Sequence, residues 1–550
     1  MVAILAIGVA VVAQNKPIVK ADQGVVPPLF TSRPQLVMVP VLVTDRNRAH
    51  VANLTRDDFV LLENGKEQKI AALEEIRTSA APVLRVANPK GEFSNLNLSS
   101  PGMAEHPRRL NLIVLDLVNT KFVDQAYARG GVIEWLSQSV NVDELTSLLV
   151  FSPKGVRIVH DFTADNRILA AALQKVRGQV SVPDQAIDTG ALSIPGMQTE
   201  TNALETLFRN LGGDAFGYGD QVELTMAGFN AIADAYGGVP GRKALIWMTG
   251  GLPFGIFRPG ALPSFAPEST SSEVVHTYQK LNDANIAVYP VDARGLVTLA
   301  TTAAERSDGF DPRNPTKTVL QARQTANQAL IDSLNLVAEM TGGRAFYNTN
   351  DLATAASQAA QDSSAYYLLG YYLKNDLDKP GWRSLHVKVK RSGVNVRSRE
   401  GFFLTKPGED DAKRRAADIE LALRSPFEFT ALPLTVRWTG RSTNPSGNKT
   451  GVEFDLMVGG SGITIDEMDN NHVSLEFNAV ALDAELKDVV QSDHHAEANL
   501  KPANTEKMRA SGMTYHDRLA LPPGDYTVRF VVRDNLSGRV GSVIAPLRVD

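Results

Sequence analysis

Residues Leu110 to Thr120 read Leu-Asn-Leu-Ile-Val-Leu-Asp-Leu-Val-Asn-Thr, and no other stretch constrains the fold as much. A near-continuous apolar run that closes on one carboxylate is the pattern of a strand buried on both faces of a parallel sheet. Asp116 falls where such a strand emerges, and in open α/β sheets that carboxyl edge is where ligands bind. An Asp followed by short polar residues there serves one of two ends. It holds a divalent cation through oxygen ligands, or it caps a loop or the next helix.

The sequence after this strand alternates. A helix is expected over 123–139, where Phe122, Ala126, Val132, Ile133 and Leu136 supply an apolar face. Strands at 145–151 and 156–159 flank Ser152-Pro153-Lys154-Gly155, a hairpin-like turn. Helices at 167–176, 221–236, 271–284, up to Met340 and at 351–362 then alternate with strands at 243–249, 286–291, 344–347 and 366–373. Three irregular insertions, 177–215, 250–270 and 298–316, interrupt the pattern and are expected at the carboxyl edge or rim of the sheet. Alternation of this kind predicts an α/β fold with a doubly wound, mostly parallel, Rossmann-like sheet.

A chain of 550 residues is too long for one core. A small, Ig-like β unit is expected over 31–80, because Asn64-Gly65 between apolar runs is a strong hairpin signal. Pro40 lacks a ladder N–H and points to an edge position for its strand. Segments 385–389 and 394–397 read as a β-hairpin appended to the sheet domain. From Phe427 onward, alternating runs predict a C-terminal β-sandwich. The expected division is therefore 1–13, 31–80, 108–405 and 427–550.

The net charge is −5 and no long basic block occurs, which argues against nucleic acid as a partner. The absence of cysteine excludes disulfides, thiol catalysis and Cys-based zinc sites. Residues 1–13 form an apolar run too short for a transmembrane span. With Val11-x-Ala13 as a small-residue site and polar sequence directly after, they read as a signal peptide, although no basic segment precedes the run. The expected location is secreted or periplasmic.

Several motifs taken together resemble the von Willebrand factor type A (VWA) domain, and the bacterial secreted VWFA-related group in particular. They are Val43-Thr44-Asp45, Leu54-Thr55 with Asp57-Asp58-Phe59, Glu63-Asn64-Gly65-Lys66, Leu115-Asp116 with Asn119-Thr120, and Pro240-Gly241-Arg242-Lys243. Val291-Asp292-Ala293-Arg294-Gly295, Thr341-Gly342-Gly343 and Tyr366-Tyr367-Leu368-Leu369-Gly370-Tyr371 complete the set, which spans roughly residues 35 to 405.

The resemblance implies a protein-binding edge and a metal-ion-dependent adhesion site built from Asp-x-Ser-x-Ser, a Thr and a second Asp. Carried onto this chain, Asp116 matches the first Asp and Thr120 the second Ser, while Val118 stands at the first Ser. Thr225 is the candidate Thr. The second Asp is expected near Gly250 and is missing, which leaves Asp292 as an auxiliary carboxylate. The implied site is degenerate, with no cofactor or only weakly bound Mg²⁺ or Ca²⁺.

Other constellations carry less. Asp493-His494-His495 reads as a solvated loop, and adjacent His residues on a regular strand would face opposite ways. No Gly-x-Ser-x-Gly elbow occurs, and Gly237 to Lys243 lacks the P-loop ending. Tyr366, Tyr367, Tyr371 and Tyr372 form either a stacking row or ordinary core. These residues together read as a non-catalytic protein-binding chain with partners in the envelope. The alternatives are a hydrolase with its site in the 177–215 and 250–270 loops, or a structural envelope scaffold.

Overall fold

The structure is a computed structural model that describes residues 36–78, 91–95, 109–138, 144–176, 218–253, 268–296, 317–373, 381–404, 412–443, 449–467 and 469–550. Residues 1–13, the insertions 177–215 and 298–316, and residues 254–267 of the remaining insertion lie outside that set.

In chain order the first strands are β1 (Leu36–Thr44), β2 (Phe59–Glu63), β3 (Lys66–Gln68), β4 (Ile70–Arg77) and β5 (Glu92–Ser94). The central unit comes next, with β6 (Arg109–Asp116), β7 (Glu144–Ser152), β8 (Gly155–Thr163), β9 (Lys243–Thr249) and β10 (Ile286–Asp292). Its helices are α1 (Phe122–Gln138), α2 (Asn166–Gln174), α3 (Tyr218–Tyr236), α4 (Glu268–Asp283), α5 (Lys317–Thr341) and α6 (Leu352–Gln361). Beyond them lie β11 (Ala365–Tyr372), β12 (Gly381–Val389), β13 (Asn395–Ser398), β14 (Gly401–Leu404) and α7 (Ala412–Arg424). The rest is β15 (Leu434–Thr443), β16 (Thr450–Val458), β17 (His472–Leu482), β18 (Asp488–Asn499), α8 (Pro502–Ser511), β19 (Met513–Leu521), β20 (Gly524–Asp534) and β21 (Val540–Val549).

The central sheet has the order β10-β9-β6-β7-β8. Neighbours from β10 to β7 are parallel, and β8 returns antiparallel through the short turn after Ser152. Alternate residues of each strand feed two separate cores. Leu110, Leu112 and Val114 join Trp247 and Val288 under Phe229 of α3, Leu281 of α4 and Leu334 of α5. Ile113 and Leu115 join Ile246 and Tyr289 under Val132 of α1, Leu169 of α2 and Leu352 of α6. A strand covered on both faces has to be apolar at nearly every position, which is what β6 shows. Each such side chain contributes about 1.5–3 kcal/mol by leaving water. The fold is therefore mixed α/β with several sheets, one of which mixes parallel and antiparallel pairs.

The sequence reading is corrected at β11. The 366–373 run does not join the parallel sheet but lies antiparallel between β1 and β4, in the order β13-β1-β11-β4. A second sheet, β14-β12-β2-β3, packs against it around Val39, Val41, Leu61, Tyr367, Leu369 and Val387. Strands β1, β2 and β4 of the expected 31–80 unit thus find partners beyond residue 364, while β3 pairs with β2. The expected 385–397 hairpin is also divided, since β12 pairs with β2 and β14 while β13 pairs with β1.

Pro40 does not mark an edge strand, because β1 is flanked on both sides. It sits beyond the stretch Val41–Thr44 that β13 covers, so one flank is open at its missing N–H. The Asn64-Gly65 turn joins β2 to β3, with φ of 47° and 76° that Asn and Gly tolerate.

Two further sheets, β19-β16-β15-β5 and β18-β17-β20-β21, enclose Phe454, Phe477, Val528 and Phe530. Asp493-His494-His495 lies in β18 and not in a loop. His494 meets Asp517 at 3.3 Å, and His495 meets Ser474 at 2.9 Å on the other side of the strand. Phe427 and Phe429 insert into the α3 core, so this unit is fused to the central one.

A buried ionic cluster reinforces the junction. Lys280 Nζ donates to Asp234 Oδ2 at 2.8 Å and Asp418 Oδ1 at 2.9 Å, and Arg533 clasps Asp418 at 2.8 Å. Burial pushes the Asp234 carboxyl up to about 6, against the pull of Lys280. Burial also works to raise Asp418, but Lys280, His276 and Arg533 outweigh it and hold that carboxyl low.

Candidate functional site

The carboxyl edge of the central sheet carries the residues that the sequence singles out. Asp116 ends β6, Thr249 ends β9 and Asp292 ends β10, and the register sets Leu115 opposite Met248. Asp116 is 2% exposed. Its Oδ1 accepts the backbone N–H of Val118 at 3.0 Å and of Asn119 at 2.8 Å. Its Oδ2 accepts the Asn119 amide at 2.9 Å, the Trp247 indole N–H at 2.9 Å and the Thr249 hydroxyl at 2.8 Å. Burial pushes this carboxyl up, and the donors from Asn119, Trp247 and Thr249 oppose that shift.

The other candidate ligands stand close by and are engaged as well. Asn119 Nδ2 also reaches Thr225 Oγ1 at 3.1 Å, and that hydroxyl donates to Gln221 O at 2.7 Å within α3. Thr120 Oγ1 accepts the N–H of Gly250 at 2.9 Å. Asp292 is forked by its own neighbour, with Arg294 Nε at 2.9 Å from Oδ1 and an Arg294 terminal nitrogen at 2.7 Å from Oδ2. Asp116 and Thr225 thus share the Asn119 amide, Thr120 binds the Gly250 N–H instead, and Asp292 belongs to a separate ion pair.

This group does not fit a divalent cation. Mg²⁺ or Ca²⁺ needs a shell of six or more oxygens with free lone pairs, whereas both Asp116 oxygens already accept N–H or O–H donors. Among the described residues no group of three or more His, Cys, Asp or Glu is placed to hold a metal. Asn119 Oδ1 and Gln125 Oε1 are buried without donors, but two neutral amide oxygens do not make such a shell. At the position of the missing Asp, a Cβ on Gly250 would stand 2.9 Å from Asn119 O and 3.3 Å from Thr120 Cα. The backbone of the Asp116 loop occupies the space that a third-loop side chain would need.

The same edge exposes apolar surface that the sequence reading missed. Phe122 is 51% exposed, Val123 63%, Tyr127 39% and Leu296 57%. Phe122 and Val123 open α1 just after the Asp116 loop. The buried stripe of α1 is instead Gln125, Ala128, Val132, Trp135 and Leu136, so Phe122 and Ala126 do not belong to its core face. Asn350 ties the patch together, since its carbonyl accepts from Tyr127 Oη at 2.5 Å and its Oδ1 from Leu296 N at 2.8 Å. The available signal was an apolar Phe-Val pair lying off the helical stripe. Of the four tyrosines, Tyr366, Tyr367 and Tyr371 are core, and Tyr372 is 50% exposed.

The chain matches no family model and no curated protein. Among solved structures it is similar to one described as the crystal structure of the SpRpn10 VWA domain. The match has 10% identity, covers 45% of this chain and 94% of that chain, and has a TM-score of 0.19. A VWA domain is a weak structural neighbour of this chain. A likeness of that size carries no argument about function. Among the described residues no helix is long and apolar enough to cross a membrane.

Proposed function

We propose that this chain is a non-catalytic protein-binding module of the VWA type, acting in the secreted or periplasmic space. Its partner engages the carboxyl edge of a doubly wound sheet without a bridging metal. One observation carries the reading: Phe122, Val123, Tyr127 and Leu296 are exposed together beside an Asp116 whose oxygens are all engaged. Clustered apolar and aromatic side chains on a surface mark interaction sites, and a saturated carboxylate has nothing left to offer an ion. The location rests on the apolar run of residues 1–13 and the lack of cysteine. Partners are proteins of the envelope, and nucleic acid is disfavoured by the charge balance.

Site-specific photocrosslinking tests this. A crosslinker placed at Phe122 or Tyr127 is expected to trap one defined protein in cells of the source organism, equally with and without chelator. The same probe at Leu486, which is 72% exposed in the C-terminal unit, should trap nothing in common with it. Adducts that require divalent metal, or none at the edge positions, would refute the reading.

A further inference from the structure

The sequence motif Pro240-Gly241-Arg242-Lys243 takes no part in the Asp116 site. It lies at the opposite, amino edge of the central sheet, where β9 begins against the N-terminal β strands. Arg242 is 3% exposed. Its guanidinium donates to Gly342 O at 2.6 Å and to Tyr289 Oη at 3.4 Å, both neutral acceptors. Arg399, on the turn between β13 and β14, donates to Met38 O at 3.0 Å. Among the described residues neither guanidinium makes an ion pair, although Asp283 acts on Arg399 from a distance.

Both Nε atoms are buried and without an acceptor. Both arginines line one polar cavity of about 10 Å³, together with Pro40, Asn282, Asn285 and Thr341. Burial of the Arg399 guanidinium lowers its affinity for its proton, as expected of a cation short of counter-charge. A buried charge without a partner is costly, and so is each orphaned donor. Two such cations facing one small space therefore call for an acceptor that carries negative charge. The cavity has room for about one water-sized particle, which excludes phosphate, sulfate and carboxylate ligands.

We infer that the cavity between Arg242 and Arg399 is a binding site for a single halide-sized anion, chloride in the cell. The ion would receive both Nε–H groups and offset the charge at the seam between the central sheet and the N-terminal β strands. It would act as an ionic rivet between two units, beside the Arg397–Asp362 ion pair that also joins them.

Crystals of the full chain soaked in bromide, together with thermal melts at constant ionic strength, test this. An anomalous bromide peak is expected between Arg242 and Arg399. Replacing gluconate with chloride or bromide should raise Tm saturably, and Arg242→Gln or Arg399→Gln should each remove that rise. Soaked crystals that show only water in the cavity would overturn the inference, as would a halide-dependent rise that survives in both variants. If a variant fails to fold, the bromide peak in the unaltered chain decides alone.

Discussion

The indole N–H of Trp247 donates to Asp116 Oδ2 at 2.9 Å, from the strand alongside. It stands among the N–H donors that occupy the carboxylate where a cation would otherwise bind. Because Trp247 also packs in the core against Phe229 at 4.3 Å between ring centroids, the donor is fixed in place. The Asp116 carboxylate is held by hydrogen bonds from one neighbouring strand, β9, and from the loop that follows β6.

Metal should accordingly leave stability unchanged. Thermal melts in millimolar Mg²⁺, Ca²⁺ or Mn²⁺ should coincide with melts in chelator. A tightly bound ion would instead add about 2.7 kcal/mol at a hundredfold excess over its dissociation constant. Asp116→Ala strands buried donors on Trp247 and Asn119 and should cost about 3 kcal/mol or more in denaturant unfolding, with or without metal. A metal-dependent rise in Tm that Asp116→Ala abolishes would contradict this.

Restoring the missing acid should fail. Gly250→Asp drives a Cβ into Asn119 O and Thr120 Cα, at separations of 2.9 and 3.3 Å, and threatens the Gly250 N–H bond to Thr120. The expected cost is about 1–3 kcal/mol of overpacking, with no heat of Mg²⁺ binding by calorimetry. A folded variant that binds Mg²⁺ in the micromolar range would show that the loop yields.

Removing the cation at the junction should be severe. Lys280→Ala leaves Asp234 and Asp418 facing one another in the interior, with Arg533 and His276 still beside Asp418 but, among the described residues, no cation in direct contact with Asp234. Breaking a buried ion pair in this way costs about 3–5 kcal/mol. Hydrogen exchange should show α4 and α7 opening together. A loss below about 1 kcal/mol would mean that water reaches the cluster.

Lys243 supplies a pH signature. Its ammonium is held by Val239 O at 2.6 Å and Gly241 O at 3.0 Å, yet burial lowers its pKa to about 7. The unfolded chain keeps this proton up to about pH 10.4. Between those values the unfolded state binds more protons, so stability rises with pH. The gain should be about 2–4 kcal/mol from pH 7 to 10. Lys243→Met should flatten that rise in denaturant midpoints, and an unchanged slope in the variant would assign it elsewhere.

The sequence and the structure agree most closely where the signal is local. The run into Asp116 is apolar at nearly every buried position, and the Asn64-Gly65 turn reflects the φ angles that its two residues tolerate. At β11 the local signal was ambiguous, since Tyr366 to Leu373 is apolar whether its partners are parallel or antiparallel. Its true neighbours, Val37 to Val41 and Ile70 to Arg77, lie hundreds of residues earlier and leave no periodic trace. The site divides in the same way. Asp116, Thr120 and Thr225 were visible as residue types. The Trp247 and Thr249 donors depend on the register of a neighbouring strand, which a single sequence does not display.

The pairing of β1 and β4 with β11 has a consequence for how the chain is made. The first strands leave the ribosome as unpaired, apolar edges, and their partner is not synthesised until the entire central unit has been. Translation at about 5–20 residues per second makes that delay roughly 15–60 s for the residues between Arg77 and Ala365. The central unit must therefore fold within a loop whose two ends are still apart. A nascent chain stalled before residue 365 would display Val37, Val39 and Val41 to any chaperone or sister chain within reach.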